Sequence, residues 1–136
     1  MGIRVVWDNE AKTVIRFDFD TTWTWSDFSA AIMEGRVLMK TVSHNVHSLL
    51  NLPTGMTMPG GNALSNLQRI IRTMPPNMGI SVIANGSTLV NALANIVTRV
   101  YRAQQFITVN SLEAARALLE EYDRTHASPP QPGRQG

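Results

Sequence analysis

Gly79-Ile80-Ser81-Val82-Ile83-Ala84 is a short and almost wholly apolar run. A strand with one face in water alternates polar and apolar residues. A run without that alternation suits a central strand covered on both faces, as in a parallel sheet packed with helices. Parallel neighbours need crossover connections, normally helical, and the flanking sequence supplies them. Before the run, Leu64, Leu67, Ile70, Ile71 and Met74 share one helical face, and Pro75-Pro76-Asn77 stops the helix. After it, Asn85-Gly86 makes a turn and Ser87 caps a helix carrying Leu89, Leu93, Ile96, Val97 and Val100. Val90, Ala94 and Tyr101 lie beside that stripe, so the apolar face is wider than one sheet contact needs.

Further out the same alternation continues. Asn45 to Leu52 reads as a strand stopped by Pro53, and Phe106 to Val109 as the last strand. Thr24 opens the first helix with Asp27 three residues on, a capping box, and Phe28, Ala31, Ile32, Leu38, Met39 and Val42 form its stripe. Gly35 in mid-helix costs about 1 kcal/mol against alanine, which points to close packing on the sheet. Asn110 is expected to cap the last helix with Glu113, and Leu112, Ala115, Leu118, Leu119 and Tyr122 make its core face. At the start, Ile3 to Asp8 and Thr13 to Phe19 flank the polar link 8–12 and read as a hairpin. Its Ile15, Phe17 and Phe19 face the core, while Val14, Arg16 and Asp18 face the other way, with Arg16 and Asp18 meeting water. The expectation is an α/β fold in the order ββαβαβαβα, a mixed five-stranded sheet with four helices. It occupies residues 1–122 as one domain. Residues 123–136, rich in proline and glycine, are expected to be a disordered tail.

Composition bounds the function. A chain of 136 residues with 43% hydrophobic residues builds a core without disulfides or metal, and it has no cysteine for either. The absence of cysteine fits a reducing compartment, and the expected location is the cytoplasm. The formal charge is only +2, with ten arginines against two lysines. Arg69, Arg72, Arg99 and Arg102 sit at helix ends, where they complement the dipole. No dense basic stripe with interleaved aromatics marks a nucleic-acid face. Met1-Gly2-Ile3-Arg4-Val5 lacks the basic leader and apolar run of a signal peptide, and no stretch approaches the ~20 apolar residues of a membrane span.

Few residues offer chemistry. His44 and His47, three apart at a strand entrance, fall on opposite faces, so joint metal binding is not expected. Asp18 and Asp20 share a face without an acid–base partner, and Ser48, Ser65 and Ser87 lack a nucleophile-elbow setting. No catalytic residue, metal or cofactor is assigned, and an enzyme is the least favoured class. The candidate functional surface is the irregular loop Met56-Thr57-Met58-Pro59-Gly60-Gly61. Its methionines offer an adaptable apolar contact or fold back over the core, and its glycines leave amides free for an anion at the next helix start. Trp23 and Trp25, flanking Thr24, either pack at the sheet edge or present an aromatic hot spot to a partner. On the third helix, Val90, Ala94, Val97 and Tyr101 read as burial under the last helix, as a self-association face for a homodimer, or as a lipid-binding groove.

The element order resembles the STAS/SpoIIAA-like domains, which include anti-sigma-factor antagonists and the cytoplasmic tails of sulphate transporters. The resemblance covers residues 3–122. It is carried also by the strand–loop–helix passage from Val46 to Ile71 and by the closing run Phe106-Ile107-Thr108-Val109-Asn110-Ser111-Leu112-Glu113-Ala114. The family's switch is a strand ending in Asp followed by Asp-Ser-Ser-Gly at the second helix start, where a serine is phosphorylated. Here Asn51 stands near the strand-end Asp and Met58-Pro59-Gly60-Gly61-Asn62 replaces the serines, with Thr57 before the helix and Ser65 inside it. The resemblance therefore implies the scaffold and a habit of docking other proteins, without the phospho-switch. The expected function is a non-enzymatic, regulatory protein-interaction domain that docks a partner, or itself, through the loop before the second helix. The alternative is a domain that binds a small anion, nucleotide or lipid.

Overall fold

The computed structural model describes residues 2–72, 77–100 and 106–126. Nine elements follow in the order β1 (Ile3–Trp7), β2 (Val14–Phe19), α1 (Trp25–Met39), β3 (Val46–Asn51), α2 (Ala63–Ile71), β4 (Met78–Ala84), α3 (Thr88–Val100), β5 (Phe106–Val109) and α4 (Leu112–His126). The strands form one five-stranded sheet in the order β1-β2-β3-β4-β5. β1 is antiparallel to β2, and every later pairing is parallel, so the expected α/β architecture is the one found. β1 is an edge strand and β2 an interior one. Asn9 closes the hairpin link, donating from Nδ2 to Thr13 Oγ1 at 2.8 Å, and Lys12 takes the left-handed conformation there (φ 58°).

Strands that pair in chain order through crossovers of one hand place all the crossover helices on one side. The two halves of the core reflect this. Ile15, Phe17 and Phe19 of β2, Val46 of β3 and Ile83 of β4 pack with Phe28, Ala31, Ile32 and Met39 of α1, Ile70 of α2, and Val90 and Ala94 of α3. Val14, Leu49, Ile80, Val82 and Ala84 point the other way and meet only Ala115 and Leu119 of α4 among the buried helical residues. The central run of β4 is thus covered on both faces, as its lack of alternation requires. Gly35 is buried against the sheet: a Cβ there would lie 3.0 Å from Cζ of Phe17, itself 1% exposed.

The capping box at Thr24 and Asp27 is complete, and Ser87 Oγ accepts from the Val90 amide. At α4 the expected cap is corrected. Ser111, not Asn110, receives the Ala114 amide on its hydroxyl (3.0 Å), and the Ser111 carbonyl begins the helical ladder. The helix also runs to His126, so residues 123–126 belong to α4 rather than to the tail. Residues 127–136, Met74, the stop at Pro75-Pro76, Tyr101 and Arg102 lie outside the described residues, as do the side chains of Ile71, Leu89, Leu93, Val97 and Val100.

α4 covers the β3–β5 half of its face. The β1–β2 half is stitched to it by charge. Arg16 on β2 donates to Asp8 (2.8 Å) and to both oxygens of Asp18 (2.9 and 3.1 Å). Arg116 of α4 donates to both oxygens of the same Asp8, and Asn51 of β3 donates to Asp18. Arg16 and Asp18 are therefore half-buried members of a network, not the freely solvated pair the alternation suggested. Burial alone would raise the Asp8 carboxyl. Hydrogen bonds and positive charge from Arg116 and Arg16 outweigh it and hold Asp8 below its ordinary value.

Candidate functional site: an apolar cavity beneath the 54–61 loop

The site is built at the end of β2. The chain leaves the sheet at Phe19 and enters α1 at Thr24, so Trp23 is carried inward to 5% exposure. Its ring meets Phe19, Trp25 and Phe28 edge to face at 5.1, 5.2 and 5.8 Å between centroids. Trp25, the first residue of α1, is half-buried, and its indole Nε1 donates to the Gly60 carbonyl at 3.0 Å. A second bond, from the Thr57 amide to the Thr21 carbonyl (3.0 Å), ties the loop to the same corner. Gly55 (φ 81°) and Gly61 (φ 95°) adopt the left-handed conformation that turns the loop back over the sheet.

So held, the loop turns its apolar side chains inward. Met56 and Met58 are half-buried and pack on the core, while Pro59 is half-buried and Thr57, Gly60 and Gly61 are exposed. Beneath them is a cavity of about 80 Å³. Its floor is Leu50 of β3, Leu52 just beyond it, Ile83 of β4 and Phe106 of β5. Leu67 and Ile70 of α2 form one wall, Val90 and Ala94 of α3 another, and the aromatic corner of Phe19, Trp23 and Phe28 closes it. No described lining residue carries a polar side chain except Trp23. The Trp23 indole N–H is buried and has no hydrogen-bond partner. Such a group costs about 1–3 kcal/mol when left unpaired.

The candidate residues thus come together, though not as an outward surface. Trp23 belongs to the core and offers no exposed hot spot. Val90 and Ala94 are buried on the face opposite α4, which removes them from a self-association face and from burial under the last helix. The anion reading of the α2 start also changes. Asn62 is the N-cap, its side chain takes the Ser65 amide (3.0 Å), and no basic residue lies nearby in that first turn. Phe19, Phe28, Leu50, Leu67 and Phe106 were not legible as site residues. The one signal for them was the surplus apolar width of the third helix, which lines the cavity with Ala94 where a larger side chain would fill it.

Elsewhere, polar groups serve the fold. His47 is 5% exposed. Its Nε2 lies 2.7 Å from Asp123 Oδ1, and its ring stands edge-on to Tyr122. His44 Nε2 is 2.8 Å from the Lys12 carbonyl, so the two histidines have separate partners. Among the described residues no group of three or more His, Asp or Glu side chains is arranged to hold a metal. No helix among them is long and apolar enough to cross a membrane. No family model, curated protein or solved structure matches the chain.

Proposed function

We propose that this chain is a binding domain for a small apolar molecule, taken up in the cavity beneath the 54–61 loop. The observation that carries the reading is the wall itself: side chains from four strands, three helices and the loop converge on one space without filling it. Protein interiors are close-packed, and voids of this kind are few and cost stability. An apolar void stays dry and accepts apolar molecules. Two methionines form its cover, and their unbranched, flexible side chains let it widen around a guest. The same inward turn of Met56 and Met58 counts against the loop as a protein-docking surface, since what it leaves outside is Thr57 and glycine. Within this proposal the scaffold is STAS-like, supported by the element order. The domain is non-enzymatic and cytoplasmic, the last supported by the cysteine-free sequence.

The test is binding of ethylbenzene and 2-heptanone, followed by thermal shift and calorimetry, to the wild-type chain and to Ala94→Leu. Leucine at position 94 adds bulk inside the cavity. The expected result is saturable binding by the wild type that the variant loses while still unfolding cooperatively. Absence of binding by a cooperatively folded wild type sinks the reading, and so does undiminished binding by the variant.

A further inference from the structure

We propose that the guest is an amphiphile. Its apolar part fills the cavity, and an uncharged hydroxyl or amide head lies outside, in an open hollow at the carboxyl ends of β3, β4 and β5. This rests on the reading of the cavity as a binding site and specifies its ligand class. The hollow follows from the chain path. α3 leaves the end of β4 toward the face that carries the cavity, and α4 leaves the end of β5 toward the opposite face. Where neighbouring strands send their connections to opposite sides, the turns part and a crevice opens between them. Open α/β sheets bind ligands at such points. Here the crevice is lined by Asn85, Gly86 and Ser87 after β4 and by Asn110 after β5, together with Thr54 and Met56 of the loop.

Three contacts set this hollow against the cavity. Met56 lines both. Asn85 Nδ2 donates to the carbonyl of Leu52, a cavity residue, at 3.2 Å. Gly86 backs onto the cavity wall: a Cβ there would lie 3.1 Å from Cγ1 of Val90 and 3.5 Å from Cγ2 of Ile83. The partition therefore includes a glycine and an unbranched thioether side chain, and in the proposed complex Met56 turns aside to join the two spaces. Their chemistry differs as the two ends of an amphiphile do. The cavity offers carbon and thioether surface. The hollow offers amides and hydroxyls, which donate and accept, and its described lining has no ionised side chain to favour a charged head. Asn110 is spared for this role, because Ser111 caps α4. A ligand lying across both avoids the cost of burying its polar group unpaired.

The experiment compares butylbenzene and 4-phenylbutan-1-ol, which differ by one terminal hydroxyl, on the wild-type chain and on the double variant Thr54→Val with Asn110→Ala. Both positions are exposed, and both substitutions remove polar atoms from the hollow without touching the cavity wall. The quantity read is the ratio of the two dissociation constants, which cancels the differing hydration of the probes when compared between proteins. The ratio is expected to move about fivefold against the alcohol in the variant. In parallel, the Asn110 side-chain amide resonances of the ¹⁵N-labelled wild type are expected to move with the alcohol and to stay with the hydrocarbon. Both probes binding with an unchanged ratio overturns the amphiphile inference and leaves the apolar-binding reading intact. Failure of both probes to bind overturns the two together. If the variant does not fold, the wild-type Asn110 resonances decide: equal movement with the two probes is the overturning result.

Discussion

The Ile80 amide donates to Nδ1 of His47 across 3.1 Å, and that bond sets the state of the whole ring. With Nδ1 accepting, the imidazole proton sits on Nε2 and is given to Asp123. The β3–β4 register shifts between Val46 and Ser48, where His47 stands. A buried side chain has become part of the strand pairing.

This arrangement depends on the absence of a side chain at Gly79. A Cβ there would lie 2.6 Å from His47 Cε1 and closer still to Nδ1. The backbone of Gly79 is not among the left-handed glycines, so an alanine tests space alone. Gly79→Ala is expected to destabilise by about 1–3 kcal/mol, read as a lower urea midpoint at unchanged slope. A midpoint equal to wild type would show that the ring has room to move.

Asp123 ties the last turns of α4 to the sheet through His47. A chain stopped at residue 122 keeps the apolar stripe of α4 but leaves His47 Nε2 without its carboxylate. Loss of about 1–3 kcal/mol relative to the full chain is expected for that truncation and for Asp123→Ala. Equal stability of all three in denaturant would contradict this.

The Asp8 network predicts an acid response. Its folded carboxyl lies below the ordinary value of 3.8. A depressed folded value gives stability that is present above pH 3.8 and is lost as pH falls through the folded value. Asp8→Asn is expected to lower stability at neutral pH by about 1.5–3 kcal/mol and to flatten the fall below pH 4. Parallel stability–pH curves for the two proteins, measured by urea titration between pH 2 and pH 7, would remove Asp8 from the account.

Trp25→Phe keeps an aromatic ring of smaller size and removes the bond to Gly60. The expected cost to folding is about 0.5–1.5 kcal/mol. Exchange of a bound apolar probe should quicken, because the loop loses one of its two ties to the aromatic corner. Stopped-flow displacement measures this directly, and unaltered off-rates would separate the latch from ligand exit.

The sequence carried the architecture because each element declares its period locally. The alternation from Val14 to Phe19 and the stripe from Phe28 to Met39 specify a face without reference to the rest of the chain. The α4 cap falls one residue past the expected Asn110 because Asn110 and Ser111 are both good caps one residue apart, and the hydrophobic period does not resolve a single position. Partnerships across long separations left no local trace: His47 finds Asp123 seventy-six positions away, and Arg116 finds Asp8 at a separation of 108. The cavity was illegible for a related reason. A void is a property of how several elements fail to meet, and the direction of Met56 and Met58 follows from the Trp25–Gly60 tie rather than from their own neighbours.

α4, the one helix on the second face among the described residues, also gives folding an order. Until α4 docks, the five strands can pair while Val14, Leu49, Ile80 and Val82 have no buried helical cover on their side among the described residues. Such a partly folded form displays a bare apolar sheet until α4 docks, and such surfaces invite aggregation or chaperone capture. Docking of the fifteen-residue α4 is the step that ends the exposure.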